Sequence, residues 1–105
     1  MIKKTMILTA LLFTLGSNLQ AQDLTRTDVI KLIAIATKPL DLTGVNLSRV
    51  DLSYLNLKGA YLKGAYLSET NFIGANLSGA NLTGAYLSNT NLADANLTGI
   101  IGYKP

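Results

Sequence analysis

ANLSGANLTG, residues 75–84, is two pentapeptides in tandem, and the frame it sets extends in both directions without a gap. From Leu40 to Gly99 the chain divides into twelve pentapeptides, centred on Leu42, Leu47, Leu52, Leu57, Leu62, Leu67, Phe72, Leu77, Leu82, Leu87, Leu92 and Leu97. Two residues before each centre stands Leu, Val, Ala or Thr, and just before it Asp, Asn or Tyr. Neither regular period accommodates this. On an α-helix, steps of five rotate successive centres by about 140° and scatter them around the axis. On a straight strand an odd step sends each centre to the opposite face. Twelve centres share one core only if the chain bends once per pentapeptide. Glycine two residues after the centre, at Gly44, Gly59, Gly64, Gly74, Gly79, Gly84 and Gly99, supplies the positive φ that such a bend needs. Asn89 and Asp94 tolerate that region, whereas Arg49, Tyr54 and Glu69 predict a different turn at their corners.

Ala75-Asn76-Leu77-Ser78-Gly79, Ala80-Asn81-Leu82-Thr83-Gly84 and Ala95-Asn96-Leu97-Thr98-Gly99 carry a specific resemblance to the pentapeptide-repeat proteins, whose pattern is A-[N/D]-L-x-x. The resemblance implies an all-β solenoid, a right-handed quadrilateral β-helix with one pentapeptide per side. Residues 40–99 then make about three coils.

A four-sided coil returns above itself every twenty residues, and the chain keeps that longer register. GAYLSETNF at 64–72 comes back as GAYLSNTNL at 84–92. Residues twenty apart should stack at strand spacing, roughly 4.8 Å. Tyr66 then lies over Tyr86 and Thr70 over Thr90. The two threonine hydroxyls face inward and need partners, in turn backbone or each other. Glu69 becomes Asn89 at a corner, where a tighter turn is expected in the last coil.

The two ends differ. Residues 1–21 read as a cleaved export signal: Lys3 and Lys4, an apolar run from Met6 to Leu15, and a cleavage position near Ala21. That run is well short of the ~20 residues a membrane span needs. Within residues 22–39, Thr27 to Ala36 predict a capping α-helix over the first coil, with Asp28 in its first turn and Pro39 beyond its end. Val29, Ile30, Leu32, Ile33 and Ile35 make it apolar on more than one face, as a buried or bound helix would be. Leu40, Val45, Val50 and Leu55 put bulk where later coils carry mostly Ala, a plug beneath that cap. After Gly99 comes a tail, residues 100–105, with Gly102 where the next leucine should stand. The last coil therefore exposes strand edge and the tops of Leu82, Leu87, Leu92 and Leu97, and exposed edges invite pairing. A homodimer through Leu97, Ile100 and Ile101 is expected, as the resemblance also implies.

Chemistry is sparse. The chain has no His and no Cys, which removes the commonest general base, the thiolate nucleophile and the usual zinc ligands. Asp23, Asp28, Asp41, Asp51, Glu69 and Asp94 fall in separate columns or on separate sides, so no carboxylate pair converges for acid–base work. The expectation is a protein that is no enzyme and needs no cofactor. The Asn-Leu-Ser/Thr triplets follow from the repeat and read as solvated ladders. Nine Lys and Arg against six Asp and Glu give +3, but removal of Lys3 and Lys4 leaves +1. No nucleic-acid partner follows from that charge, nor stable membrane insertion once the signal is cleaved.

One side differs from the others. It carries Tyr66 and Tyr86 above Asn46, the column Ser48, Ser68 and Ser88, and the corner pair Arg49 and Glu69, with Tyr61 round the neighbouring corner. Stacked tyrosines there either shelter the sheet or offer a flat contact surface. The favoured function is a periplasmic or secreted structural or protein-interaction module, binding a protein or another cell-envelope component. A glycan or cell-wall binding module is the alternative. The resemblance raises a third reading, since some members mimic duplex DNA and act on gyrase. Those are long and strongly acidic, unlike this chain.

Overall fold

The computed structural model describes residues 24–104; the expected export signal lies outside them. Three coils, 40–59, 60–79 and 80–99, stack in parallel with a shift of twenty residues. Bridges run Asp41 to Tyr61 to Asn81 to Ile101, Asn46 to Tyr66 to Tyr86, Asp51 to Asn71 to Asn91, and Asn56 to Asn76 to Asn96. Each strand is reduced to a single bridging residue, so the sheet is built entirely from coil-to-coil contacts.

The repeat exists because it satisfies the backbone. In Ala75–Gly79, Ala75 N–H donates across the turn to Phe72 O at 2.9 Å. Asn76 N–H donates to Leu55 O in the coil below, while Leu77 and Gly79 N–H donate to Asn96 O and Thr98 O above, all at 2.8–2.9 Å. Ser78 N–H alone faces away from both coils, and Asn76 Oδ1 accepts it at 3.0 Å. All five donors are paired, as buried backbone requires. This explains Asn or Asp before nine of the twelve centres: the side chain is the acceptor for the one N–H the ladder cannot reach.

Every corner turns through the left-handed region. The glycines have φ of 66–71°, and Arg49, Tyr54 and Glu69 reach 64°, 62° and 62°. The expected change of turn type at these three corners is therefore incorrect. Their i+3 bonds, Val50 N to Leu47 O, Leu55 N to Leu52 O and Thr70 N to Leu67 O, match those of the glycine corners. Asn89, at 59°, turns like Glu69 and is not tighter. Coil-to-coil bonds on both sides of a corner outweigh the roughly 1–2 kcal/mol that a side chain adds in this region. The exposed Tyr54 ring lies across Gly74, and a Cβ there would require that ring to swing aside.

The centres from Leu42 to Leu82 are buried, together with Ala60, Ala65, Ala75 and Ala80. Thr70 is the buried polar residue among them. Thr70 Oγ1 donates to Leu47 O and Thr90 Oγ1 to Leu67 O, both at 2.8 Å, so the turn carbonyls receive the inward hydroxyls as expected.

The cap is α1, Arg26–Ile35, one residue earlier at each end than the sequence suggests. Thr25 caps it in a reciprocal capping box with Asp28: the Asp28 N–H donates to Thr25 Oγ1 and the Thr25 N–H to Asp28 Oδ2. Leu24, Val29 and Leu32 bury completely against the first coil, but Ile30 and Ile35 face outward. Only one apolar face of the helix is used. Polar contacts fix its position: Leu24 N–H reaches Asn46 O, and Arg26 Nη1 donates to both Asp51 O and Ser53 O at 3.0 Å. Asp51 Oδ1 receives the Ser53 hydroxyl at 2.6 Å, the Ser53 N–H at 3.0 Å, and lies 3.5 Å from Arg26. These contacts hold its carboxyl below the ordinary aspartate range, the Ser53 hydroxyl most strongly and Arg26 least.

At the far end Ile101 adds one further bridge, to Asn81, and its carbonyl accepts Leu82 N–H at 2.7 Å. Leu82 is consequently buried, which corrects the expectation that its top is exposed. Leu87, Leu92 and Leu97 are half-buried, with Ile100 and Tyr103 packed against the core beside them.

Thr70→Val should lower unfolding free energy by about 1 kcal/mol, because a neutral buried hydrogen bond is lost at constant shape. Thr90→Val, half-buried in the last coil, should cost less, and urea denaturation of the two variants checks the order. A depressed folded pKa means that Asp51 stabilises the fold above its unfolded pKa and loses that contribution as pH falls through the folded one. The urea midpoint should drop as pH falls below the ordinary aspartate value of 3.8, and Asp51→Asn, which keeps the Ser53 bonds, should flatten that share of the decline.

Candidate interaction surface

Asp41, Asn46, Asp51, Asn56, Asn71, Asn76, Asn81, Asn91 and Asn96 each accept the N–H two residues on, at 2.9–3.2 Å. Tyr61, Tyr66 and Tyr86 occupy the same position in their repeats and have no oxygen within reach of that N–H. At Ser48 the bond from Asn46 is present, at 3.0 Å; above it, Ser68 and Ser88 have lost its counterpart. The tyrosines break a local rule that every Asn and Asp of the column position obeys.

In its place the side carries an aromatic stack. The rings of Tyr66 and Tyr86 lie 4.8 Å apart and within 5° of parallel. That separation is the coil spacing itself, so the backbone register holds the rings face to face. Both remain about half exposed, at 47% and 55%. Each ring covers one face of the other, leaving ring edges, hydroxyls and the outer faces of the pair. Next to them Arg49 Nε and Glu69 Oε2 are 3.5 Å apart at the exposed corner, a pairing of little energetic weight. Tyr61, 41% exposed, bridges to Asp41 and Asn81 on the adjoining side. The structure thus brings Tyr66, Tyr86, Ser48, Ser68, Ser88, Arg49 and Glu69 onto one side with its corner, and sets Tyr61 round the edge.

The acids stay apart. Among the described residues no three of the His, Cys, Asp and Glu type gather where a metal could be held. No described helix is long and apolar enough to cross a membrane. The loss of the Asx bond at the tyrosines was the signal that sequence reading missed, since it needs the turn geometry to be recognised. Arg26, which holds the cap, was likewise unmarked in the sequence.

Eight copies of the pentapeptide repeat are recognised in residues 40–68 and 65–101. The chain belongs to the pentapeptide-repeat family, whose members fold as right-handed quadrilateral β-helices and are generally structural or interaction modules. No curated protein matches it. Three of the similar solved structures illustrate the range. One is the pentapeptide repeat protein Rfr23 of the cyanobacterium Cyanothece 51142, 38% identical over 63% of this chain and 42% of that one, with a TM-score of 0.44. A second is QnrB1, a plasmid-mediated fluoroquinolone resistance protein, 26% identical over 58% and 36% at a TM-score of 0.42. The third is HetL of Nostoc sp. strain PCC 7120, involved in heterocyst differentiation regulation, 30% identical over 66% and 44% at a TM-score of 0.28. The chain spans less than half the length of each.

Proposed function

We propose that this chain is a non-catalytic, exported interaction module that works outside the cytoplasm, in the periplasm or beyond. Its Tyr66–Tyr86 side is the docking surface for a protein of the cell envelope. The observation that carries this reading is the tyrosine substitution itself. Two coils give up the Asx bond that neighbouring repeats keep, and gain a half-exposed stack bordered by serines and an Arg–Glu pair. Tyrosine presents rigid contact area together with a hydroxyl, which suits an interface. A protein partner fits better than a sugar, because stacking takes one of the two faces of each ring and so leaves less aromatic face for a glycan ring to pack on. The near-neutral charge left after removal of residues 1–21 gives no support to a DNA-mimicking role.

A photo-cross-linking residue in place of Ser68, introduced in living cells, should give one discrete adduct recovered from the periplasmic fraction. The Tyr66→Ala/Tyr86→Ala variant should lose that adduct while staying folded. An equal adduct pattern from the same probe at Thr98 would remove the case for this side.

The second surface is the last coil. Half-buried Leu87, Leu92 and Leu97, with Ile100 beside them, lie at the far end of the core, and Ile101 is 54% exposed. We infer a homodimer formed end to end through Leu97, Ile100 and Ile101. Sedimentation equilibrium should then show a dimer that Leu97→Asp converts to monomer; a wild-type monomer at high concentration would refute it.

A further inference from the structure

The opposite side of the square from the tyrosines has an opening of its own. A groove of about 440 Å³ lies where the C-terminal end of α1 and the following loop pass the fourth side of the first coil. That volume is in the ~300–1,000 Å³ range of ligand sites. Ile33, Ala36 and Leu57 supply apolar lining, Lys38 and Lys58 stand at it with Asn56, and none of its lining residues is acidic.

Backbone geometry says what this wall offers. One coil higher, Asn76 N–H donates toward the first coil, and Asn76 O and Ser78 O accept from Leu57 and Gly59 N–H. The repeat therefore directs the equivalent groups of the first coil, Asn56 N–H, Asn56 O and Lys58 O, away from the second coil and toward the capped end. On two of the other sides the chain fills part of the equivalent set itself. Leu24 N–H takes Asn46 O on the second side, and Arg26 takes Asp51 O and Ser53 O on the third. On the fourth side, no backbone–backbone bond among the described residues reaches these groups. An open edge with alternating donor and acceptor beside an apolar groove is the requirement for strand addition.

We propose that the groove binds an extended acidic peptide segment of a partner protein by strand addition to the Asn56–Lys58 edge. Main-chain bonds form to Asn56 and Lys58, an apolar side chain packs on Ile33 and Pro39, and flanking carboxylates meet Lys38 and Lys58. The two lysines choose the sign of the ligand, and no carboxylate in the lining opposes them. At the adjoining corner the Pro39 ring packs over Gly59, where a Cβ would lie 3.2 Å from Pro39 Cγ, so this ring closes one end of the groove. This site is independent of the Tyr66–Tyr86 reading and lies on the other side of the solenoid.

The probe is the capped peptide Ac-Asp-Thr-Leu-Val-Glu-NH2, titrated into isotopically labelled protein and followed by amide chemical shifts. Shifts confined to residues 33–38 and 56–59 are expected, with affinity falling at least tenfold for Lys38→Glu/Lys58→Glu. Because both lysines are exposed, that variant should keep its fold, and it should bind the Lys-for-acid version of the peptide instead. A peptide N-methylated at the central leucine should bind at least tenfold more weakly. No shifts at millimolar peptide, or shifts centred on Tyr66 and Tyr86, would overturn the proposal. So would equal binding of the N-methylated peptide, or the same shifts from succinate alone.

Discussion

A left-handed residue every fifth position is the constraint on which this molecule depends. Each corner sets the direction of the next side, and each side must arrive beneath its counterpart twenty residues on. Once that happens the donors of one coil meet the acceptors of the next, and abandoning a corner would break bonds in two coils together. This is why arginine, tyrosine and glutamate accept φ near 60° at Arg49, Tyr54 and Glu69. Their local preference is worth roughly 1–2 kcal/mol, whereas each corner governs several hydrogen bonds worth about 1 kcal/mol apiece. The collective term wins.

Such a ladder has no natural ends, and the chain treats its two ends differently. At the first coil, Leu24, Val29 and Leu32 seal the core, and Arg26 satisfies two carbonyls that a further coil would otherwise have taken. At the last, Ile101 continues the register by one residue before Gly102 leaves it. Burial declines accordingly, from complete at Leu77 and Leu82 to partial at Leu87, Leu92 and Leu97. Unequal ends give the solenoid a polarity that a uniform repeat lacks, with a polar edge beside α1 and an apolar surface at the other end.

Much of this was legible because the repeat couples identity to geometry. Period five located the corners, period twenty the columns, and the inward threonines required the turn carbonyls they were found to use. Three kinds of feature were not legible. Backbone strain at Arg49, Tyr54 and Glu69 was misjudged because local preference was weighed without the coils on either side. The cover over Leu82 depended on whether Ile101 stayed in register, which the loss of leucine at Gly102 obscured. The candidate surface was located in the sequence, but the way its rings face each other depends on side-chain conformation, which no period encodes.

The tyrosine stack separates what the fold imposes from what it leaves open. Rings twenty residues apart on one column must sit near the coil spacing, so their 4.8 Å separation reflects the register and is no evidence of selection for binding. The loss of the Asx bond is different, because nothing in the ladder requires it. Two such bonds are given up at Tyr66 and Tyr86, about 2 kcal/mol together, and the one aromatic pair returns about 0.5–1.5 kcal/mol. Stability therefore gives no reason to prefer tyrosine to asparagine at these positions. What distinguishes the two is what the side chain presents to its surroundings. Here that is two half-exposed phenol edges in a fixed register, beside serine hydroxyls and a weakly held ion pair. Such a surface can hydrogen-bond along one line while burying aromatic area, and the backbone has already removed most of the entropy that two free tyrosines would lose on contact.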